Sequence, residues 1–266
     1  MHGMSEILFW GGGSVAFTLL GLFICRKFFK PIDVHGHAEL LIAIVTIVGT
    51  LVSVLLGLLV SSAVDQYHSL ESSIDSEATS VADIYRISRG MPEKFAQAMQ
   101  PLCIDYCELT VKDEWPAMKH GELSPAVTKV YSRINDQIVG FRPENQAEAS
   151  LQQSLLKAAT DLGHSRRERI VAVTSTWIDR MLPILSICAF IVLAISYLHV
   201  GPQTTAVHRV LLSFVAMALG SNIGLIYTMS KPFASDWTMA PDQFELNAKY
   251  MRAFQNKTIT NESQPK

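Results

Sequence analysis

The sequence predicts an all-α membrane protein, with four transmembrane helices and a large helical-bundle insert between the second and the third. Three observations carry that expectation. Ile7–Cys25, Leu40–Val64, Met181–His199 and Val210–Ser230 are essentially free of charged side chains, and each has about the length that crosses a hydrocarbon core roughly 30 Å thick. Between the second and third runs, apolar residues recur at spacings of three and four, the period of a helix with one buried face. Outside the apolar runs there is no alternation of the kind that marks a half-buried strand. Charged residues make up 17% of the chain, against about 25% in a soluble domain. A chain of 266 residues is also too short to wrap four such helices in a water-soluble shell.

The first run begins after a flank, Met1–Glu6, that lacks Lys and Arg, and it is followed by Arg26, Lys27 and Lys30. That order is the reverse of a cleavable signal peptide, so the run is expected to stay as an anchor. Gly11, Gly12, Gly13 and Gly21 would let another helix approach closely. Lys30-Pro31 ends the run. The short connection holds His35 and His37, which have no further ligand cluster nearby, so a solvated interfacial loop is expected rather than a metal site. The second run, Leu40–Val64, completes a first segment, residues 1–64. Its Thr46, Thr50, Ser53, Gly57 and Ser61 follow one another at four, three, four and four, which places them on one helical face. Asp65 stands at the end of that face.

Residues 65–180 form the predicted soluble insert. Tyr67, Leu70, Ile74, Ala78, Val81 and Tyr85 mark a first stripe, and Arg89-Gly90-Met91-Pro92 reads as a stop followed by a restart. Phe95, Met99, Leu102, Tyr106 and Leu109 make a second stripe, which Trp115-Pro116 and Gly121 are expected to break. Val127, Val130, Ile134 and Ile138 make a third. Leu151, Leu155, Ala159 and Leu162 make a fourth, which continues through Arg166, Arg169, Val173 and Trp177. Glu77 falls on the apolar face of the first stripe, as Arg166 and Arg169 do on the fourth. A buried carboxylate and buried guanidinia require partners, so Glu77 is expected to pair with Arg166 or Arg169. The alternative is that the stripes drift and all three face water.

Residues 181–230 are expected to form a transmembrane hairpin around the polar turn that follows His199. Gly220 and Gly224 in the last run form a small-xxx-small contact motif. Asn222 between them is expected to hydrogen-bond a neighbouring helix, or to line a water path. Residues 231–266 read as a weakly amphipathic segment (Trp237, Met239, Phe244, Leu246, Tyr250) with a disordered end. Cys25 and Cys188 lie in apolar runs. Cys103 and Cys107 share a helical face and are expected to pack rather than bind metal.

Several stretches resemble a bestrophin-like family of membrane proteins, distant from the bestrophin anion channels. The segment from Gly57 into the helix carrying Glu77-Ala78 is similar to the end of that family's second span. Asp105-Tyr106 through Asp113-Glu114-Trp115-Pro116 resembles its Tyr and Glu-Trp-Pro stretch. Arg166 and Arg169 match an Arg-x-x-Arg ahead of its third span, and Lys231-Pro232-Phe233 with Pro241-Asp242-Gln243-Phe244 resembles its closing elements. The resemblance covers most of the chain from about residue 40 to 250. It implies an integral, multi-pass membrane protein distantly like the bestrophins, which are oligomeric anion channels. No match to the bestrophin aromatic pore neck or acidic calcium clasp is present.

Two functions follow as expectations. One is a homo-oligomeric ion channel with the second span lining the pore through Thr46, Thr50, Ser53, Gly57 and Ser61, and with Asp65 at the mouth favouring cations. The same small-residue stripe would otherwise serve to pack against the first and fourth spans. The other is a non-conducting sensor or scaffold whose insert binds a protein partner. No glycine-rich phosphate loop, nucleophile elbow or metal-ligand helix motif points to an enzyme or a cofactor, and no basic cluster points to nucleic acid. The expected partners are therefore the lipid bilayer, further copies of the chain and an inorganic ion. Basic residues after the first span place the N-terminus, the insert and the C-terminus outside, in the inner membrane if the source is bacterial.

Overall fold

The computed structural model describes residues 5–28, 38–174, 177–200, 206–234 and 238–262. The described residues are mostly helical, with no strand among them. The elements are α1 (Ser5–Phe28), α2 (Ala38–Ser88), α3 (Glu93–Leu109), a π-helical turn (Thr110–Glu114), α4 (Trp115–Met118), α5 (Pro125–Gly140), α6 (Gln146–Thr174), α7 (Trp177–Val200), α8 (Ala206–Ser230) and α9 (Asp242–Glu262). Among the described residues, four helices contain stretches long and apolar enough to cross a membrane: Ser5–Ile24, Ile42–Ser88, Arg180–Tyr197 and Ala206–Ser230. The chain divides into two compact units. One comprises Met1–Tyr67 and Ser175–Thr238, the other His68–Thr174 and Met239–Lys266.

In the first unit, α1 and α8 pack through small residues. Hydrocarbon tails are as apolar as leucine, so helices in lipid gain little from burying aliphatic surface and associate through close van der Waals contact. A methyl group added at Gly11 would lie 2.8 Å from Ser221 Oγ, one at Gly224 2.8 Å from Trp10 Cβ, and one at Gly220 2.7 Å from the Trp10 carbonyl. Ser14 Oγ sits 2.7 Å from the Gly11 carbonyl and 2.6 Å from the Ala216 carbonyl, which ties the two helices at the same level. Asn222 does not extend this contact. Its Nδ2 donates to the Ala218 carbonyl of its own helix at 2.8 Å, because a residue four positions back offers an acceptor within reach of a short amide. On the other side of α8, Ile223 and Ile226 join Val52 and Leu56 of α2 and Leu185, Ala189 and Val192 of α7 in one apolar cluster.

The second unit is built from the rest of α2, α3 to α6, and α9. Its core is large and aliphatic: Ile84, Met99, Ile134, Ile138, Leu155 and Leu162 are fully buried. Two sequence expectations need correction. Trp115-Pro116 does not break the helical path. Trp115 N–H reaches back five residues to the Thr110 carbonyl, and this widened turn accommodates the proline at the start of α4. The other is the disordered end of the weakly amphipathic C-terminal segment, which stays helical to Glu262. Residues 242–262 are helical, and α9 docks through buried Phe244, Ala248 and Met251. Trp115 Nε1 donates to the Met239 carbonyl at 2.8 Å, Tyr85 OH to the Met251 carbonyl at 3.1 Å, and Asn247 Nδ2 to the Ala78 carbonyl at 2.8 Å. The connection holding His35 and His37, the turn at 201–205, Trp237 and residues 263–266 lie outside the described residues, as do the side chains of Cys25, Arg26, Trp177 and His199.

Candidate functional site

Two features stand out, one in each unit. In the first, Thr46, Thr50, Ser53, Gly57, Ser61 and Asp65 of α2 are all exposed. The helix is turned so that Val52 and Leu56, buried to 6% and 5% residual exposure, face α7 and α8 instead. Thr46 Oγ1 donates to the Ile42 carbonyl at 2.8 Å and Thr50 Oγ1 to the Thr46 carbonyl at 2.7 Å. Each hydroxyl hydrogen is thus used locally, and the oxygen lone pairs remain as acceptors. A methyl group at Gly49 or Gly57 would meet nothing within 4 Å.

The second feature is a buried ionic network. Arg169 donates through Nε to Glu77 Oε2 and through Nη2 to Glu77 Oε1, both at 2.7 Å, a bidentate fork. Its Nη2 also reaches Glu114 Oε2 at 3.2 Å. Arg166 makes a second fork, Nη1 to Glu114 Oε2 and Nη2 to Glu114 Oε1, both at 2.9 Å. Tyr106 OH donates to Glu77 Oε1 at 2.5 Å and accepts from Arg166 Nη1 at 3.3 Å, and Thr128 Oγ1 accepts from Arg166 Nη2 at 3.2 Å. Glu77, Glu114 and Arg169 are wholly buried and Arg166 nearly so.

Two carboxylates and two guanidinia cancel in charge, and the rings of Trp115 and Tyr131 lie 5.6 Å and 5.8 Å from the guanidinium carbons of Arg169 and Arg166. Burial alone would pull the Arg169 pKa down, but Glu77, through its charge and hydrogen bonds, together with Tyr106 and Glu114 outweighs this and raises it. Burial, with the Glu77 charge beside it, holds the Tyr106 hydroxyl well above its ordinary pKa, so it remains a donor. The network therefore clips α2, α3, the π turn, α5 and α6 together.

Glu114 is the member that sequence periodicity does not reveal. Tyr106, Thr110, Glu114 and Met118 are all buried, at steps of four. On an α-helix each such step overshoots a turn by about 40°, so the four would drift off one face. The π turn absorbs the drift. The signal that could have revealed it is that run of fours ending beside a proline. Nearby, Cys103 and Cys107 are buried free thiols whose pKa values are pushed up, in both cases chiefly by burial. Among the described residues, no group of three or more His, Cys, Asp or Glu is placed to hold a metal ion.

The model of the bestrophin-like domain matches residues 12–244. The chain belongs to the bestrophin-like family. Among solved structures it is similar to a bacterial bestrophin homologue from Klebsiella pneumoniae. One point variant of that protein is 11% identical, covers 95% of this chain and 100% of its own, and superposes with a TM-score of 0.70. A second variant is 10% identical over 93% of this chain and 98% of its own, with a TM-score of 0.69. A third structure, described as a membrane protein, is 12% identical over 93% and 97%, with a TM-score of 0.66. No curated protein matches the sequence. At these identities the likeness establishes a bestrophin fold. With the four apolar helices, it supports an integral membrane protein of bestrophin-like fold.

Proposed function

We propose that the chain is one subunit of an oligomeric ion channel whose pore is lined by the membrane portion of α2. The observation that carries this reading is the rotation of α2. Its hydroxyl-and-glycine face is exposed, as are Ile47, Leu51, Val54 and Leu58, while Val52 and Leu56 are the α2 side chains that pack with α7 and α8. Packing against α1 or α8 would have covered that small-residue face. In its most apolar stretch 11% of the α2 residues are buried, against 17% for α1 and α7 and 33% for α8, which leaves surface for contacts with further copies. A ring of copies around a symmetry axis would bring the Thr46–Ser61 faces together. Hydroxyl oxygens and glycine backbone there could solvate a passing ion, and the ring of Asp65 at the mouth would favour cations.

Purified protein in planar bilayers tests the proposal. Conductance is expected, with Thr50→Phe and Ser53→Phe each lowering it at least tenfold and Asp65→Asn lowering the cation-to-anion permeability ratio. Silence, or conductance indifferent to all three substitutions, would reject the pore assignment.

A further inference from the structure

The first unit holds a groove of about 440 Å³ between α1, α7 and α8, within the range of about 300–1,000 Å³ typical of ligand sites. Its walls are aromatic, formed by Phe9, Trp10, Phe17 and Phe190, and its floor is small, formed by Gly13 and Gly220. Phe17 and Phe190 close one end, with ring centroids 6.2 Å apart. Ser14 and Ser186 are the hydroxyl-bearing residues of an otherwise apolar lining, and the Ser14 hydroxyl is already engaged with the Gly11 and Ala216 carbonyls. A polar ligand would lose its hydration there without replacement.

What lies at the other end identifies the occupant. Beside Trp10, whose ring is 5.5 Å from that of Tyr227, a polar girdle gathers on the first turn of α1 and the last turn of α8. Thr228 Oγ1 donates to Glu6 Oε2 at 3.0 Å. Lys231 Nζ donates to Tyr227 OH at 3.0 Å and lies 4.6 Å from that ring's centroid. Trp, Tyr and Lys at helix ends mark the membrane–water interface. The groove therefore starts at headgroup level and runs inward from Phe9 to Phe17, roughly 12 Å along the helix at about 1.5 Å per residue. One leaflet of hydrocarbon is roughly 15 Å deep.

We propose that this groove is a binding site for one acyl chain of a bilayer phospholipid, seated along α1 with its headgroup at the Trp10–Tyr227–Lys231 rim. The match is in polarity, in depth and in the aromatic walls that would grip a flexible chain on both sides.

Two glycines make the test clean. A methyl group at Gly13 or at Gly12 would meet nothing within 4 Å, but only Gly13 lines the groove. Gly13→Phe fills the site, and Gly12→Phe adds the same bulk to the same helix outside it. Native mass spectrometry of the full-length protein, after exchange into delipidating detergent, should show a retained phospholipid in the wild type and in Gly12→Phe. Gly13→Phe should lose that lipid at least fivefold, with circular dichroism confirming that all three are folded. A second measurement needs no variant. A phospholipid with a diazirine in its acyl chain should label peptides holding Phe9–Phe17 and Ser186–Leu193 in the wild type, and excess unlabelled phospholipid should compete. No retained lipid, equal retention in both glycine variants, or chain-to-chain cross-links through Phe190 in place of lipid labelling would overturn the proposal.

Discussion

The two units of this chain hold helices together by opposite means. In the first, α1 meets α8 where side chains are almost absent: Gly11, Ser14, Gly220 and Gly224 allow backbone to approach backbone. In the second, a seam of leucine, isoleucine and methionine encloses two Glu and two Arg side chains joined by buried salt bridges. The solvent accounts for the difference. A water-exposed bundle gains about 25 cal/mol for each Å² of apolar surface it buries, enough to offset the desolvation of a paired quartet. A bundle in hydrocarbon has no such source and must rely on shape and close contact. The charged quartet is tolerated only because every fork is complete, which makes it the most vulnerable point of the molecule.

The largest effect should follow from opening that quartet. Arg169→Ala leaves Glu77 without its bidentate partner and Glu114 with one fewer, and the loss of stability is expected to be about 3–5 kcal/mol, read from denaturant unfolding of the full chain in detergent. Glu77→Ala with Arg169→Ala should cost less than the sum of the two single changes by about 1–3 kcal/mol. Strict additivity would show that the pair does not act as a unit. The π turn offers an independent way in. Lys112 is exposed, and deleting it would restore α-helical register and swing Glu114 away from Arg166. The deletion should cost about as much as Glu114→Ala, about 3 kcal/mol, and adding Glu114→Ala to it should cost little more. A deletion without effect would mean that the turn does not position Glu114.

An intermediate effect should come from the lipid-facing unit. Gly220→Leu drives a side chain into Ser14 and the Trp10 backbone and is expected to cost about 1–3 kcal/mol. Gly57→Ala on α2 meets nothing and should stay within about 0.5 kcal/mol of the parent. Comparing thermal midpoints of the two in the same detergent would separate a packing glycine from one on an open face.

How much of this was legible in advance depends on whether an element carries its own period. The four apolar runs and the insert stripes declare themselves, because length and spacing are local properties of the chain, and the all-α membrane fold follows from them; the family resemblance rests instead on short motifs such as Glu114-Trp115-Pro116 and the Arg166/Arg169 pair. Glu77, Arg166 and Arg169 stand out in the sequence because each interrupts an apolar stripe. Glu114 does not, because its stripe exists only after a π turn has changed the number of residues per turn, and that choice belongs to the tertiary fold. Helix α9 is obscure for a related reason. Phe244, Ala248 and Met251 face the core while Leu246, Tyr250 and Phe254 remain on the exposed side, so two apolar stripes blur the amphipathic signal. Asn222 shows the reverse relation, with its Nδ2 donating to the Ala218 carbonyl of its own helix. A polar residue in an apolar run invites a long-range partner, yet the nearest carbonyl was one turn away.

The smallest effect is expected at an exposed ion pair that joins α9 to α3. Arg252 forks onto Glu108, with Nη2 2.7 Å from Oε2, in an exposed setting. The hydrogen bond from Arg252 and its charge hold the Glu108 carboxyl below its usual pKa. A depressed carboxylate contributes stability that is present above its ordinary pKa and is lost as the pH falls through the lowered one. Water and salt screen a pair this open. Arg252→Ala should therefore leave the thermal midpoint at neutral pH unchanged within error, and the midpoint curves of parent and variant should coincide once the pH has fallen below the carboxylate range. A loss at neutral pH comparable to that of Arg169→Ala would mean that the second unit depends on its surface charges as much as on its buried ones, and the contrast between exposed and enclosed pairs would fail.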